Sequence, residues 1–75
     1  MGFSMKTTDE LVKIVAAGGG LVVEGGRRTT DELVKIAAAA RHSGAYIVFK
    51  NTAMRKTDAL IKIAAAGKGK VIFAS

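Results

Sequence analysis

TTDELVKI occupies residues 7–14, recurs unchanged at residues 29–36, and returns as KTDALIKI at residues 56–63. The same order of events follows each copy: alanines, then glycine, then a short apolar burst, LVV at 21–23, YIVF at 46–49 and VIF at 71–73. The equivalent aspartates Asp9, Asp31 and Asp58 stand 22 and 27 residues apart, a period at which stacked, solenoid-like architectures are built. One helix-turn-strand unit is thus written three times, over residues 7–26, 29–51 and 56–75, in a single domain covering residues 1–75.

Local signals agree with that division. Thr7 is followed three positions later by Glu10, and Thr29 by Glu32, the spacing of a reciprocal capping box. Asp9 and Asp31 then fall in first helical turns, where the dipole favours negative charge. The third copy has Lys56 and Ala59 at the two box positions, so its helix start is expected to be the weakest, with Thr57 as a substitute cap. Leu11 with Ile14, Leu33 with Ile36 and Leu60 with Ile63 form the core stripe of each helix. Val12 with Val15, Val34 with Ala37 and Ile61 with Ala64 widen it toward a neighbour. Lys13, Lys35 and Lys62 each lie four residues after an aspartate, the spacing of an ion pair across one turn. The alanine runs let a helix sit close to its neighbours, and Gly18, Gly44 and Gly67 are expected as C-terminal caps.

The strands can be phased by their charges. If Glu24 and Lys50 point to solvent, Val22, Tyr46 and Val48 share that side, while Leu21, Val23, Ile47 and Phe49 turn inward. The alternating tetrapeptide at 3–6 reads as a short first strand, with Phe3 and Met5 inward and Ser4 and Lys6 outward. In the last strand Val71 and Phe73 turn inward, and Lys70 and Ile72 outward. Stacking in register then sets Glu24 between Lys6 and Lys50 as a cross-strand charge ladder. Strand, helix and parallel strand in succession, with right-handed crossovers, place every helix on one side. The expected fold is α/β: a right-handed β-α repeat stack with a four-stranded parallel sheet, order 1-2-3-4, and three helices on one face.

These units resemble leucine-rich repeats of the helix-bearing kind. TDELVKIAAAARHSGAYIVFKN, residues 30–51, carries the resemblance through its Thr-Asp helix start, its Leu-x-x-Ile-Ala helix and its Ile-x-Phe-x-Asn strand end. The strands depart from the family in lacking Leu-x-Leu-x-x-Asn spacing, with Asn51 one place early. The resemblance spans nearly the whole chain and implies an interaction scaffold.

Composition narrows the function classes. Seventy-five residues without cysteine allow no disulfide, thiolate metal site or redox motif. With a single histidine, His42, a structural metal is not expected, nor is any cofactor. No window reaches the apolar length of a membrane span, and the N-terminus has no apolar signal segment, so a cytoplasmic protein is expected. The aspartates are accounted for by helix starts and lysines at i+4, no nucleophile-base-acid set exists, and enzymatic activity is not expected.

The net charge of +6 raises a nucleic-acid reading, but the cations are dispersed. All six carboxylates are expected just before or just inside helix starts, and Arg41, Lys68 and Lys70 after helix ends. The glycine runs at 18–20 and 67–69 follow helices, whereas a phosphate cradle lies between a strand and the next helix. Gly25-Gly26-Arg27-Arg28 does lie there, and Arg27, Arg28, Arg55 and Lys56 are the candidate anion contacts of the alternative reading, a weak and mostly non-specific polyanion binder. The leading reading is a protein-protein interaction module. Val22, Tyr46, Val48 and Ile72 are apolar on the sheet side that the helices do not cover, and they are the expected interface, with the open strand edges at 3–6 and 71–74 as the alternative and a second copy of the chain or another protein as partner.

Overall fold

The computed structural model describes residues 6–74. Helix α1 (Thr8–Ala16) leads to strand β1 (Leu21–Glu24), α2 (Thr30–Ser43) to β2 (Ile47–Lys50), and α3 (Thr57–Gly67) to β3 (Val71–Ala74). The strands form one parallel sheet in the order β1-β2-β3. The expected strand at 3–6 falls almost wholly outside the described residues, and Lys6 lies in a bend. The sheet described therefore has three strands where four were expected.

Each helix begins as its first residues dictate. The Thr7 and Thr29 hydroxyls accept the Glu10 and Glu32 N–H groups, and both glutamates accept the threonine N–H in return, completing two capping boxes. At α3 the cap is Lys56, whose side chain makes no capping bond. Thr57 does not substitute for it: it is the first helical residue. The third start thus lacks the side-chain cap that the first two have.

Helix ends follow less uniformly. Gly44 closes α2 at φ 81° and returns its N–H to the Ala40 carbonyl, the left-handed cap for which glycine is suited. Gly67, expected in the same role, is instead a buried residue of α3, and Lys68 takes the left-handed conformation at φ 43°. A Cβ at Gly67 would stand 2.3 Å from Val71 Cγ2 and 3.4 Å from Ala37 Cβ. Packing, not capping, demands this glycine.

The register pairs Ile47 with Leu21 on one side and Val71 on the other, and Phe49 with Val23 and Phe73. Leu21, Val23, Ile47 and Phe49 are buried as phased, in one core with Leu11, Val15, Leu33, Ile36, Ala37, Ala40 and Ile63. Phe73 lies on Phe49, ring centroids 6.4 Å apart. Two expected core residues are corrected. Ile14 and Leu60 are only half-buried, each lying on the open flank of an end helix, although Ile14 still packs against the buried cluster. The lysines also depart from expectation. Lys62 Nζ reaches Asp31 Oδ1 in the preceding helix at 3.7 Å, and among the described residues none of the three intrahelical Asp–Lys pairs forms.

Two stability measurements check this packing. Ile36→Ala empties a fully buried site in the central helix and is expected to cost about 2–5 kcal/mol, read as a lowered urea midpoint; an unmoved midpoint contradicts the core. Lys56→Thr supplies the missing cap and is expected to raise stability by about 1 kcal/mol, with no gain counting against the assigned helix start.

Candidate interaction surface

Outward residues of parallel strands in register line up across the sheet. Val22, Val48 and Ile72 form one such row. Val22 and Ile72 are 56% and 51% exposed, Tyr46 beside them is 58% exposed, and Val48 at the centre is half-buried. All four expected interface residues thus lie on the sheet side away from the core. Lys70 Nζ sits 4.6 Å from the Tyr46 ring centroid, a cation-π contact that leaves the ring edge in water. The row is bounded at the strand ends by charge. Glu24 is in register with Lys50, but its two carboxylate oxygens accept from Asn51 Nδ2, each at 2.7 Å.

The cationic loops are organised differently from expectation. Arg28 immediately precedes the cap of α2, and its guanidinium donates to Thr8 Oγ1 at 2.8 Å and the Lys6 carbonyl at 2.7 Å. Arg55 immediately precedes the cap of α3, and it donates to Thr30 Oγ1 at 2.9 Å, the Gly25 carbonyl at 2.7 Å and the Arg28 carbonyl. Each arginine therefore bonds the helix start of the unit before it. A guanidinium suits this task because its fork engages several acceptors at once. Arg27 and Lys56 are exposed. Of the four candidate anion contacts, two are committed to internal acceptors.

An open depression of about 190 Å³ lies at these helix starts, lined by Lys6, Glu24, Arg27, Arg28 and Glu32. Its lining mixes both signs of charge. Glu32 is held below the usual carboxylate range, first by the Thr29 N–H and then by the Thr8 hydroxyl, which donates at 3.0 Å. Glu10 is lowered chiefly by the Thr7 N–H. Both carboxylates are therefore ionised neighbours of the cations. Among the described residues no cluster of His, Asp and Glu could hold a metal ion, and no helix is long and apolar enough to cross a membrane. The arginine contacts escaped the sequence reading, although their signal was present: a cation directly before each cap, at Lys6, Arg28 and Arg55, and a threonine directly after it.

No protein-family model, curated protein or solved structure matches the chain.

The depressed carboxylates give a pH signature. A group whose folded-state pKa lies below its unfolded value contributes stability that is present above the unfolded value, near 4.5, and lost as pH falls through the folded one. Glu10→Gln with Glu32→Gln is thus expected to flatten the fall of the urea midpoint below pH 4.5. An acid slope equal to the parent's would show that these capping carboxylates contribute nothing.

Proposed function

We propose that this chain is a non-enzymatic interaction module whose uncovered sheet face docks on another protein surface, most simply a second copy of itself. The observation that carries the reading is the row Val22–Val48–Ile72 with Tyr46: contiguous apolar side chains on a face that no helix of the described residues covers. Parallel sheets are ordinarily covered on both faces. Burying ~400 Å² of apolar area contributes about 10 kcal/mol, against association costs of similar size. The balance is close enough for one charge to tip it. The resemblance to helix-bearing leucine-rich repeats points toward the same scaffold role.

The polyanion alternative draws less support. Arg28 and Arg55 hold the preceding helix starts, and Glu24 and Glu32 stand among the cations of the depression. Stacking on bases needs exposed aromatic faces, whereas Phe49 is buried, Phe73 lies against it, and Tyr46 carries Lys70 over its ring.

Sedimentation across a range of concentrations tests the reading. Val48→Lys is expected to lower the average mass at high micromolar concentration without changing the circular dichroism spectrum. Equal masses for parent and variant overturn the assigned face. Duplex or single-stranded nucleic acid bound at physiological salt, with affinity falling steeply as salt rises, would favour the cationic loops instead.

A further inference from the structure

The three units are joined by two copies of one arrangement, and the chain carries the halves of a third. Arg28 bonds Thr8 Oγ1 and the Lys6 carbonyl, and Arg55 bonds Thr30 Oγ1 and the Arg28 carbonyl. In each case the residue before a cap reaches the first helical residue, and the residue before the cap, of the preceding unit. Thr57 and the Arg55 carbonyl are the corresponding acceptors on the third unit, and no fourth unit follows within the described residues. Thr57 is exposed. At the other end, Lys6 holds the position of Arg28 and Arg55, and it too is exposed.

Helix flanks repeat this pattern. Leu11 and Leu33 are fully buried, as are Val15 and Ala37, and Val12 and Val34 are half-buried. In α3 every one of these positions is more open: Leu60 is half-buried, Ala64 is exposed, and Ile61 is 60% exposed. These are therefore the residues a following helix covers. The opposite flank behaves in reverse. Ile36 and Ile63 are fully buried, but Ile14, their counterpart in the first helix, is half-buried. The surface fitted to cover the α3 flank is the flank that α2 and α3 present to their predecessors. Helix α1 repeats that surface over its first two turns, because TTDELVKI is identical in the first two units, and it ends at Ala16, before the positions equivalent to Ala40 and Gly67.

We propose that the α3 end of one copy docks on the α1 end of a second copy, so that chains stack head to tail by the contacts that join the units within each chain. Leu60, Ile61 and Ala64 meet the flank marked by Ile14, and Lys6 of the following copy reaches Thr57 and the Arg55 carbonyl. Charge is complementary there, since Asp58 stands beside Thr57 on the exposed helix start. Strand β3 lies at the sheet edge on the same end, and an edge strand has backbone groups available for pairing. A lysine lacks the fork with which Arg28 and Arg55 engage several acceptors, so the contact between chains is weaker than the contact between units. Such an interface is heterologous, and it gives rings if the rotation closes and open stacks if it does not. It uses a surface separate from the outer sheet face and is independent of the reading given for that face.

The test is made in the Val48→Lys background, which silences the sheet face; Tyr46→Lys replaces it if the circular dichroism spectrum changes. In that background the chain is expected to sediment with a mass that rises with concentration. Adding Ile61→Glu, at an exposed position that the fold does not need, returns it to a monomer. Adding Lys6→Glu, which sets a carboxylate against Asp58 of the neighbour, does the same. Mixing these two variants leaves one intact front and one intact back, and it yields a species of two chains and no more. A monomer at all concentrations before Ile61→Glu is added overturns the head-to-tail stack, as does a mass that Ile61→Glu leaves unchanged. An unmodified protein whose mass responds to Val48→Lys but not to Ile61→Glu would retain the sheet-face reading and remove this one.

Discussion

The structure depends on register. Parallel pairing sets Phe49 between Val23 and Phe73, and Ile47 between Leu21 and Val71, so that one side of the sheet is apolar and meets the helices. Side chains alternate with a period of two, and a slip of one residue would turn each strand over. Val48 would then enter the core and Phe49 would stand in water. Helix positions, the buried cluster and the row left on the outer face all follow from that single choice. The backbone reinforces it beyond the strand ends, where Ile47 N–H bonds the Lys70 carbonyl at 2.9 Å and Asn51 N–H bonds the Ala74 carbonyl at 3.1 Å.

A second constraint acts at the helix starts. The basic balance of the chain invites a reading in terms of partners, yet the structure commits part of it to joining units. Arg28 and Arg55 bond threonine hydroxyls and backbone carbonyls one unit back, and Lys62 pairs with Asp31 across α2 and α3. The capping glutamates take part as well, since Glu32 accepts from the Thr8 hydroxyl that Arg28 also bonds. Charge here works as an architectural element between neighbouring helices. A count of cations alone carries little information about a ligand.

These constraints are satisfied most fully in the middle of the chain. Helix α2 has α1 on one side and α3 on the other, and its Leu33, Ile36, Ala37 and Ala40 are all buried. Among the described residues the outer helices each have one flank without a neighbouring helix, and the sheet has one face without helices. An architecture that stacks like units leaves its ends unfinished for the same reason that it repeats. The open sheet face and the open helix flanks both arise from that property rather than from a separately built pocket.

The residues by themselves determined the units, their order and the facing of each strand, because these are local properties. Thr-x-x-Glu spacing writes a capping box whatever lies nearby, and a glutamate or lysine at a strand end sets the phase of its neighbours. They determined equally that Lys56 would give α3 no side-chain cap, since it cannot accept the bond, whereas Thr57, expected in its place, is the first helical residue. The outward position of Val22, Tyr46, Val48 and Ile72 was legible by the same alternation. Tertiary structure decided what depends on a neighbour in space. Gly67 has the appearance of a helix stop in sequence, but Val71 and Ala37 leave no room for a Cβ within the helix. Ile14 and Ile36 occupy identical octapeptides, and only the presence of a preceding helix separates half-buried from buried. Arg28 and Arg55 read as loop cations until the stacking of units brings acceptors 20 and 25 residues earlier within reach. Sequence periodicity specifies the unit, and the distance between units specifies which of its surfaces remain open.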